Sequence, residues 1–272
     1  MHPIPRLNDN DSLNKQRSVV YKLLQDKNAT MESIVSELKL YKHKIESIID
    51  GDDNNKHIGM IYTWFVDDKN IESTSIFFEL LMTCNVLGEL MIKSLQTGIS
   101  DVEKYNNMKY THELFTKCLE TSLRCIDFTM YENHQCDSLL SPFHFIMKKK
   151  YTKAMQILYV LRLNVKNEEV NHNSMANICL DAVQKLYPQR EYHYSTYVEL
   201  LYYLYLHNAH SYIEMEEPTK AITLLTHIKP LACSSPLKKN QIDNLIEIAT
   251  HRNNSIYHKD CVALSEIEFF SK

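Results

Sequence analysis

From Gly98 to Pro188 the chain contains no further glycine and a single internal proline, Pro142, while apolar residues recur at three- and four-residue spacing throughout. Glycine and proline are the two residue types that most strongly interrupt a helix. Their scarcity over such a length leaves long helices joined by short turns as the arrangement this sequence can adopt. The remaining prolines, at positions 3, 5, 188, 218, 230 and 236, fall near the ends of periodic segments, where proline is tolerated. The spacing predicts helices at about Ser12 to Leu24, Thr30 to Ile49, Ser73 to Leu95, Ser100 to Thr129, Pro142 to Leu163, Asn171 to Tyr187, Ser195 to Met215, Pro218 to Ile228 and Pro236 to Asn253. One segment departs from this pattern. His57-Ile58-Gly59-Met60-Ile61-Tyr62-Thr63-Trp64-Phe65-Val66 is short, β-branched and aromatic, and Asp/Asn-rich stretches flank it, so it reads as a strand of a small hairpin.

Composition excludes several functions. With 272 residues and 44% hydrophobic content the chain can bury a substantial core. Thirty basic against 34 acidic residues give a net charge of -4, which makes no global electrostatic case for nucleic acid or a strongly anionic membrane. The 4 glycines do not cluster, and a phosphate-cradling loop of the Walker or Rossmann kind needs several within a few residues. The 7 cysteines, Cys84, Cys118, Cys125, Cys136, Cys179, Cys233 and Cys261, are odd in number, widely spaced and free of any C-x-x-C pair, as reduced thiols of a cytosolic protein would be. Met1 to Asn14 lacks the apolar core of a signal peptide, no run of 18 apolar residues occurs, and the final Phe-Phe-Ser-Lys is not a prenylation box. No G-x-S-x-G elbow is present, and most cysteines sit on apolar helical faces. These features predict a soluble, intracellular protein that is not an enzyme and uses no cofactor.

Three landmarks occur in order along the chain. The first is Tyr62-Thr63-Trp64, followed by a helix bearing Ile76-Phe77-Phe78-Glu79-Leu80 and Asn85-Val86-Leu87. The second is a helix pair in which Ala209 and Tyr212 precede the polar turn Met215-Glu216-Glu217-Pro218, with Ala221, Ile222 and Leu225 behind it. That small-residue and aromatic spacing is similar to a tetratricopeptide helix pair, where small residues let two helices approach closely. The third is the amphipathic run Ile242, Leu245, Ile246, Ala249 leading into Asn253-Asn254-Ser255-Ile256-Tyr257-His258, with Val262 shortly after.

Together these resemble the Bro-one domain of Alix and its relatives, with Ala263 where the family usually carries proline. The resemblance covers roughly Thr30 to Leu264, with a shortened N-terminal β region. It implies a mainly α fold, a Bro-one-like helical solenoid with a tetratricopeptide-like core and a small β-hairpin near the N-terminus. Residues 1–29 would form a polar segment and first helix, and 30–272 one minimal, stand-alone domain. It further implies a non-enzymatic adaptor that binds the C-terminal helix of an ESCRT-III subunit, a charged multivesicular body protein, in endosomal sorting or membrane remodelling. Such a protein would be cytoplasmic, recruited to endosomes, peripherally associated with their membranes, and would not bind nucleic acid. The alternatives are a scaffold for a pH-response signalling protease complex and a generic tetratricopeptide-like peptide-binding protein.

In the family the partner helix lies on an aromatic of one helix and two aliphatic residues one turn apart on the next. Matching Gln156–Arg162 and Met175–Leu180 to these helices places Tyr159, Met175 and Cys179 at the patch. A register shift of one residue would exchange Cys179 with Ile178 or Leu180. The opposing expectation is that apolar residues at this spacing belong to the core. Lys148-Lys149-Lys150 with Lys153 could meet acidic helices or phosphoinositides, but reads first as solvated helix surface. His207 and His210, with His193 upstream, have a spacing that can hold a metal, which opens a metal-dependent helical enzyme as a third function; without an H-E-x-x-H arrangement they read as structural. Tyr192, Tyr194, Tyr197, Tyr202, Tyr203, Tyr205 and Tyr212 crowd one helix and read as packing rather than a stacking site for a ligand.

Overall fold

Helix starts in this chain are marked by short polar side chains that satisfy the otherwise orphaned N–H groups of a first turn. Thr30 Oγ1 accepts from Ser33 N at 3.2 Å, Ser75 Oγ from Phe77 N at 3.2 Å, Asn171 Oδ1 from Ser174 N at 2.9 Å, and Ser235 Oγ from Lys238 N at 3.5 Å. The computed structural model describes residues 2–4, 12–51, 61–66, 69–95, 98–126, 140–164, 170–232 and 235–267. They form β1 (His2–Ile4), α1 (Ser12–Gln25), α2 (Met31–Asp50), β2 (Tyr62–Val66), β3 (Lys69–Ser73), α3 (Ile76–Ser94), α4 (Asp101–Ile126), α5 (Pro142–Asn164), α6 (His172–Leu186), α7 (Tyr194–Glu214), α8 (Pro218–Ile228) and α9 (Pro236–Arg252). Each predicted helix exists, with ends displaced by a few residues at most. Positions 127–129 of the fourth predicted helix and His57 to Met60 of the predicted strand lie outside the described residues. The chain divides into two compact units, Met1–Lys153 and Ala154–Lys272, the division falling within α5.

In the first unit a three-stranded antiparallel sheet runs in the order β1-β2-β3, with Pro3 and Ile71 flanking Trp64. The hairpin partner β3, Lys-Asn-Ile-Glu-Ser, was not legible in the sequence, because only Ile71 in it is apolar. Helices α1 to α4 pack each against the next. Helix α3 is the centre of this unit: every residue from Phe78 to Gly88 is buried, so it lacks a solvent face over that span. At Gly88 it approaches α4 closely, since a Cβ there would lie 2.8 Å from the Phe115 ring.

A fully buried carboxylate sits in that apolar surround. Glu79 Oε1 accepts from Arg17 Nε at 3.0 Å and from the Tyr41 hydroxyl, and its Oε2 accepts from Trp64 Nε1 at 2.6 Å. Arg17 also donates to the Thr63 carbonyl at 2.6 Å and lies over the Tyr62 ring at 5.7 Å. One acidic side chain thereby ties α1, α2 and β2 to α3. Burial foremost, together with the neighbouring Glu79 charge, pushes the Tyr41 hydroxyl well above its ordinary range, so it stays a donor.

In the second unit α6, α7, α8 and α9 pack in series, as consecutive helices of a solenoid do. Its end is closed by the third sequence landmark. Asn253 is buried and its side chain imitates a strand pairing: Nδ2 donates to Lys259 O at 2.8 Å while Oδ1 accepts from Lys259 N at 3.2 Å. The intervening chain makes a π-helical turn over Asn253–Tyr257 and reverses at His258, which takes the left-handed conformation. Thr223 Oγ1 then holds the returning chain by donating to Val262 O at 2.7 Å, and Arg252 Nη1 donates to the Ile213 carbonyl at 3.2 Å.

Two outcomes are expected. Arg17→Met should leave the Glu79 carboxylate buried without its cation and lower unfolding stability by about 3–5 kcal/mol in urea melts. Asn253→Ala should cost about 1–3 kcal/mol by orphaning the Lys259 backbone groups, whereas exposed Asn254→Ala should leave the urea midpoint nearly unchanged.

Candidate functional site

The predicted binding patch draws on the C-terminal part of α5 and on α6. Helix α6 begins at the Asn171 cap and buries Ala176, Cys179, Ala182, Val183 and Leu186, a stripe at three- and four-residue spacing that packs on α7. Cys179 lies on the centreline of that stripe with none of its surface exposed, and burial pushes its thiol up to about 12. It is a small core residue that lets α6 approach α7. Tyr159 is also buried, with its ring beneath the Arg162 guanidinium at 5.4 Å. The expected exposed trio of Tyr159, Met175 and Cys179 is therefore corrected: two of its members face the interior. Met175 is half-buried, and Ile178, one position from Cys179, is 41% exposed. A step of one residue turns the helix by about 100°, which carries a side chain from the packed face to the solvent face. Ile178 is the apolar side chain that α6 presents outward, and half-buried Met175, one turn before Cys179, lies beside it at the start of the packed face.

The same unit holds an ion cluster linking three helices. Arg162 of α5 donates to both oxygens of Glu199 on α7, Nε to Oε1 at 3.1 Å and Nη2 to Oε2 at 2.5 Å, and Lys238 of α9 donates to Oε1 at 3.1 Å. Burial raises the Glu199 carboxyl, but the hydrogen bonds and charges of Arg162 and Lys238 outweigh it and hold the group below the usual carboxylate range. Lys238 also lies over the rings of Tyr202 at 4.7 Å and Tyr203 at 5.4 Å, and the Tyr202 hydroxyl donates to Gln241 Oε1 at 3.1 Å. These tyrosines pack and bond inside the unit, as do buried Tyr205 and half-buried Tyr197 and Tyr212. Tyr192 and Tyr194, at 88% and 66% exposure, stand out from the α6–α7 turn.

Among the other candidates, Lys148 pairs with Glu89 at 2.7 Å, Lys149 and Lys150 are half-buried and Lys153 is exposed. His207 and His210 do meet a third ring, but it comes from α6: His172 Nδ1 lies 2.9 Å from His207 Nδ1 and the His172 and His210 rings stack at 4.2 Å. His172 is 35 residues upstream of His207, a separation with no helical signal to announce it. Among the described residues no group of three or more His, Cys, Asp or Glu is arranged to hold a metal ion, and no helix is long and apolar enough to cross a membrane.

No family model matches the sequence, and no curated protein is detectably similar to it. Solved structures are. A structure of ALIX in complex with the SIVmac239 PYKEVTEDL late domain superposes on 94% of this chain with a TM-score of 0.70 at 13% identity, and this chain spans 42% of the ALIX chain there. The ALIX BRO1 CHMP4C complex superposes on 96% of this chain and 84% of its own, with a TM-score of 0.66 at 13% identity. A Bro1-domain structure that describes endosomal targeting gives 92% and 78% coverage, a TM-score of 0.61 and 12% identity. The chain has a Bro1-like fold, as its three ordered landmarks implied.

The two faces of α6 should separate cleanly in mutagenesis. Cys179→Asp should unfold α6 or the whole unit, because it places an unpaired charge in the core. Ile178→Asp should change stability by no more than about 0.5 kcal/mol; circular dichroism melts of the two variants, side by side, distinguish these outcomes.

Proposed function

We propose that this protein is a non-enzymatic adaptor that binds the C-terminal amphipathic helix of an ESCRT-III subunit through the outward face of α6, in endosomal sorting or a related membrane-remodelling step. The observation that carries the reading is the end-to-end correspondence with a Bro1 domain captured with CHMP4C, which spans 96% of this chain. Exposed Ile178 and half-buried Met175 support it from the chain itself: they lie three residues apart on α6, within one residue of the positions inferred from sequence. Leu163, 44% exposed near the end of α5, adds an aliphatic side chain on the helix that precedes α6. Tyr159 and Cys179 then serve beneath the surface, fixing α5 and α6 rather than touching the partner.

Recognition of this kind is helix-in-groove docking onto a few apolar anchors, with rim charges setting the approach rate more than the affinity. Peripheral recruitment to endosomes would follow from the partner's location. Labelled C-terminal helices of the ESCRT-III subunits, titrated by fluorescence anisotropy, provide the test. One of them should bind saturably, and Met175→Asp with Ile178→Asp should weaken it at least about 30-fold, the equivalent of about 2 kcal/mol. Binding by none of the helices, or an unchanged Kd in a folded double variant, would remove the function or the face respectively.

A further inference from the structure

Helices α6 and α7 meet through three imidazole rings. Besides the 2.9 Å contact between His172 Nδ1 and His207 Nδ1, the His210 ring lies parallel to His172 within 6° at 4.2 Å, and Tyr203 stacks on the other side of the group, 6.5 Å from His207. Two imidazole nitrogens at that distance form a hydrogen bond only when one carries a proton and the other accepts it. Protonating the accepting ring removes the acceptor and sets two cations face to face. Parallel stacking at 4.2 Å likewise tolerates neutral rings and opposes charged ones.

Among the described residues little would neutralise such charge. The carboxylate that reaches the group is Glu214 at the end of α7, its Oε1 4.0 Å from His172 Nε2, and that side chain is itself 62% exposed. His172 is the first residue of α6, directly after the Asn171 cap, where the helix dipole disfavours a cation. Other charged groups on these helices have partners of their own: on α6 Asp181 pairs with Lys185, and on α7 Glu199 pairs with Arg162. On α8, Lys220 pairs with Glu217 and lies over Tyr212, while His227 stacks on Tyr205; on α9, Lys238 lies over Tyr203 and pairs with Glu199. The apolar stripe that also holds α6 down is built largely from small side chains, Ala176, Cys179 and Ala182 among them. The imidazole contact adds to that stripe at the N-terminal end of α6.

We propose that the stack of His172, His207 and His210 is an acid-operated latch, which holds α6 against α7 while its rings are neutral and releases α6 when they take up protons. The direction follows from linkage. Burial foremost, and then the neighbouring rings, push His207 and His210 down to about 4, and burial lowers His172 against the opposing pull of Glu214. A histidine whose folded value is depressed contributes its full stability above its free value of about 6.5 and loses it as pH falls toward the folded value. The α6–α7 contact is therefore closed at neutral pH and weakens progressively between about pH 6.5 and 4.

Hydrogen exchange by mass spectrometry and histidine NMR titration of the full chain test this. With His207 and His210, the two most depressed rings, taking up protons on opening, α6 protection factors should fall roughly 50-fold between about pH 6 and 5. His210→Phe, which keeps a ring in the stack but cannot be protonated, should cut that slope to roughly ten-fold, while α8 keeps its wild-type profile. Equal α6 slopes in wild type and variant would overturn the latch. If His210→Phe does not fold, the wild-type titration decides alone: His207 and His210 titrating near 4 support it, and titration near 6.5 overturns it. The loss of partner binding over the same pH range is a further consequence that rests on the reading of α6 given above. The exchange and NMR readouts need no partner, so the latch and the adaptor function fail separately.

Discussion

The first unit depends on one buried negative charge. An isolated carboxylate in an apolar interior costs many kcal/mol, and the chain offsets this only by bringing three donors to Glu79 from three separate elements. Arg17, Tyr41 and Trp64 are each almost wholly buried, so none of these bonds is weakened by competing water. Nonspecific collapse of the same apolar residues would leave the carboxylate unsatisfied. The network therefore selects one arrangement of α1, α2, β2 and α3 among the many that would bury similar area. It also explains why a hairpin with so polar a second strand is ordered: Trp64 and the Thr63 carbonyl anchor β2 from the inside, and β3 then pairs along it.

The second unit is held differently. Its inter-helix charge cluster, Arg162, Glu199 and Lys238, is partly open to solvent, with side-chain exposures of 30%, 20% and 30%. Screened ion pairs of this kind add little net stability, so the series α6 to α9 rests mainly on its apolar stripes. In such a series each helix is stabilised by its neighbours alone, which lets one element loosen without the rest. Helix α6 differs from the others in this series in joining its apolar stripe to a titratable ring stack.

Much of the architecture was legible because it is written in local periodicity. The nine described helices followed from apolar spacing and from the placement of proline, and the closing turn from a string that begins at Asn253. The physical content of that string became clear only in three dimensions: a buried amide side chain pairs with the Lys259 backbone as a strand would, and no other residue type offers both a donor and an acceptor at that reach. What sequence could not supply were the long-range partners. Nothing near Glu79 announces Arg17, 62 residues earlier, and nothing near His207 announces His172. The strand β3 was hidden for the opposite reason, since its order comes from pairing rather than from burial of its own side chains.

The candidate site shows where periodicity runs out. In a helix packed on one side, adjacent residues differ by about 100° in direction, so a pattern of apolar residues identifies the helix while leaving the outward one undetermined within a position. On α6 both Ile178 and Cys179 fit an aliphatic, helix-compatible slot. Size decides between them: a close approach to α7 accommodates the small thiol and excludes the branched side chain, which therefore turns outward. The same packing demand that buries Cys179 thus exposes Ile178. An outward apolar side chain on α6 is a by-product of how tightly that helix must seat.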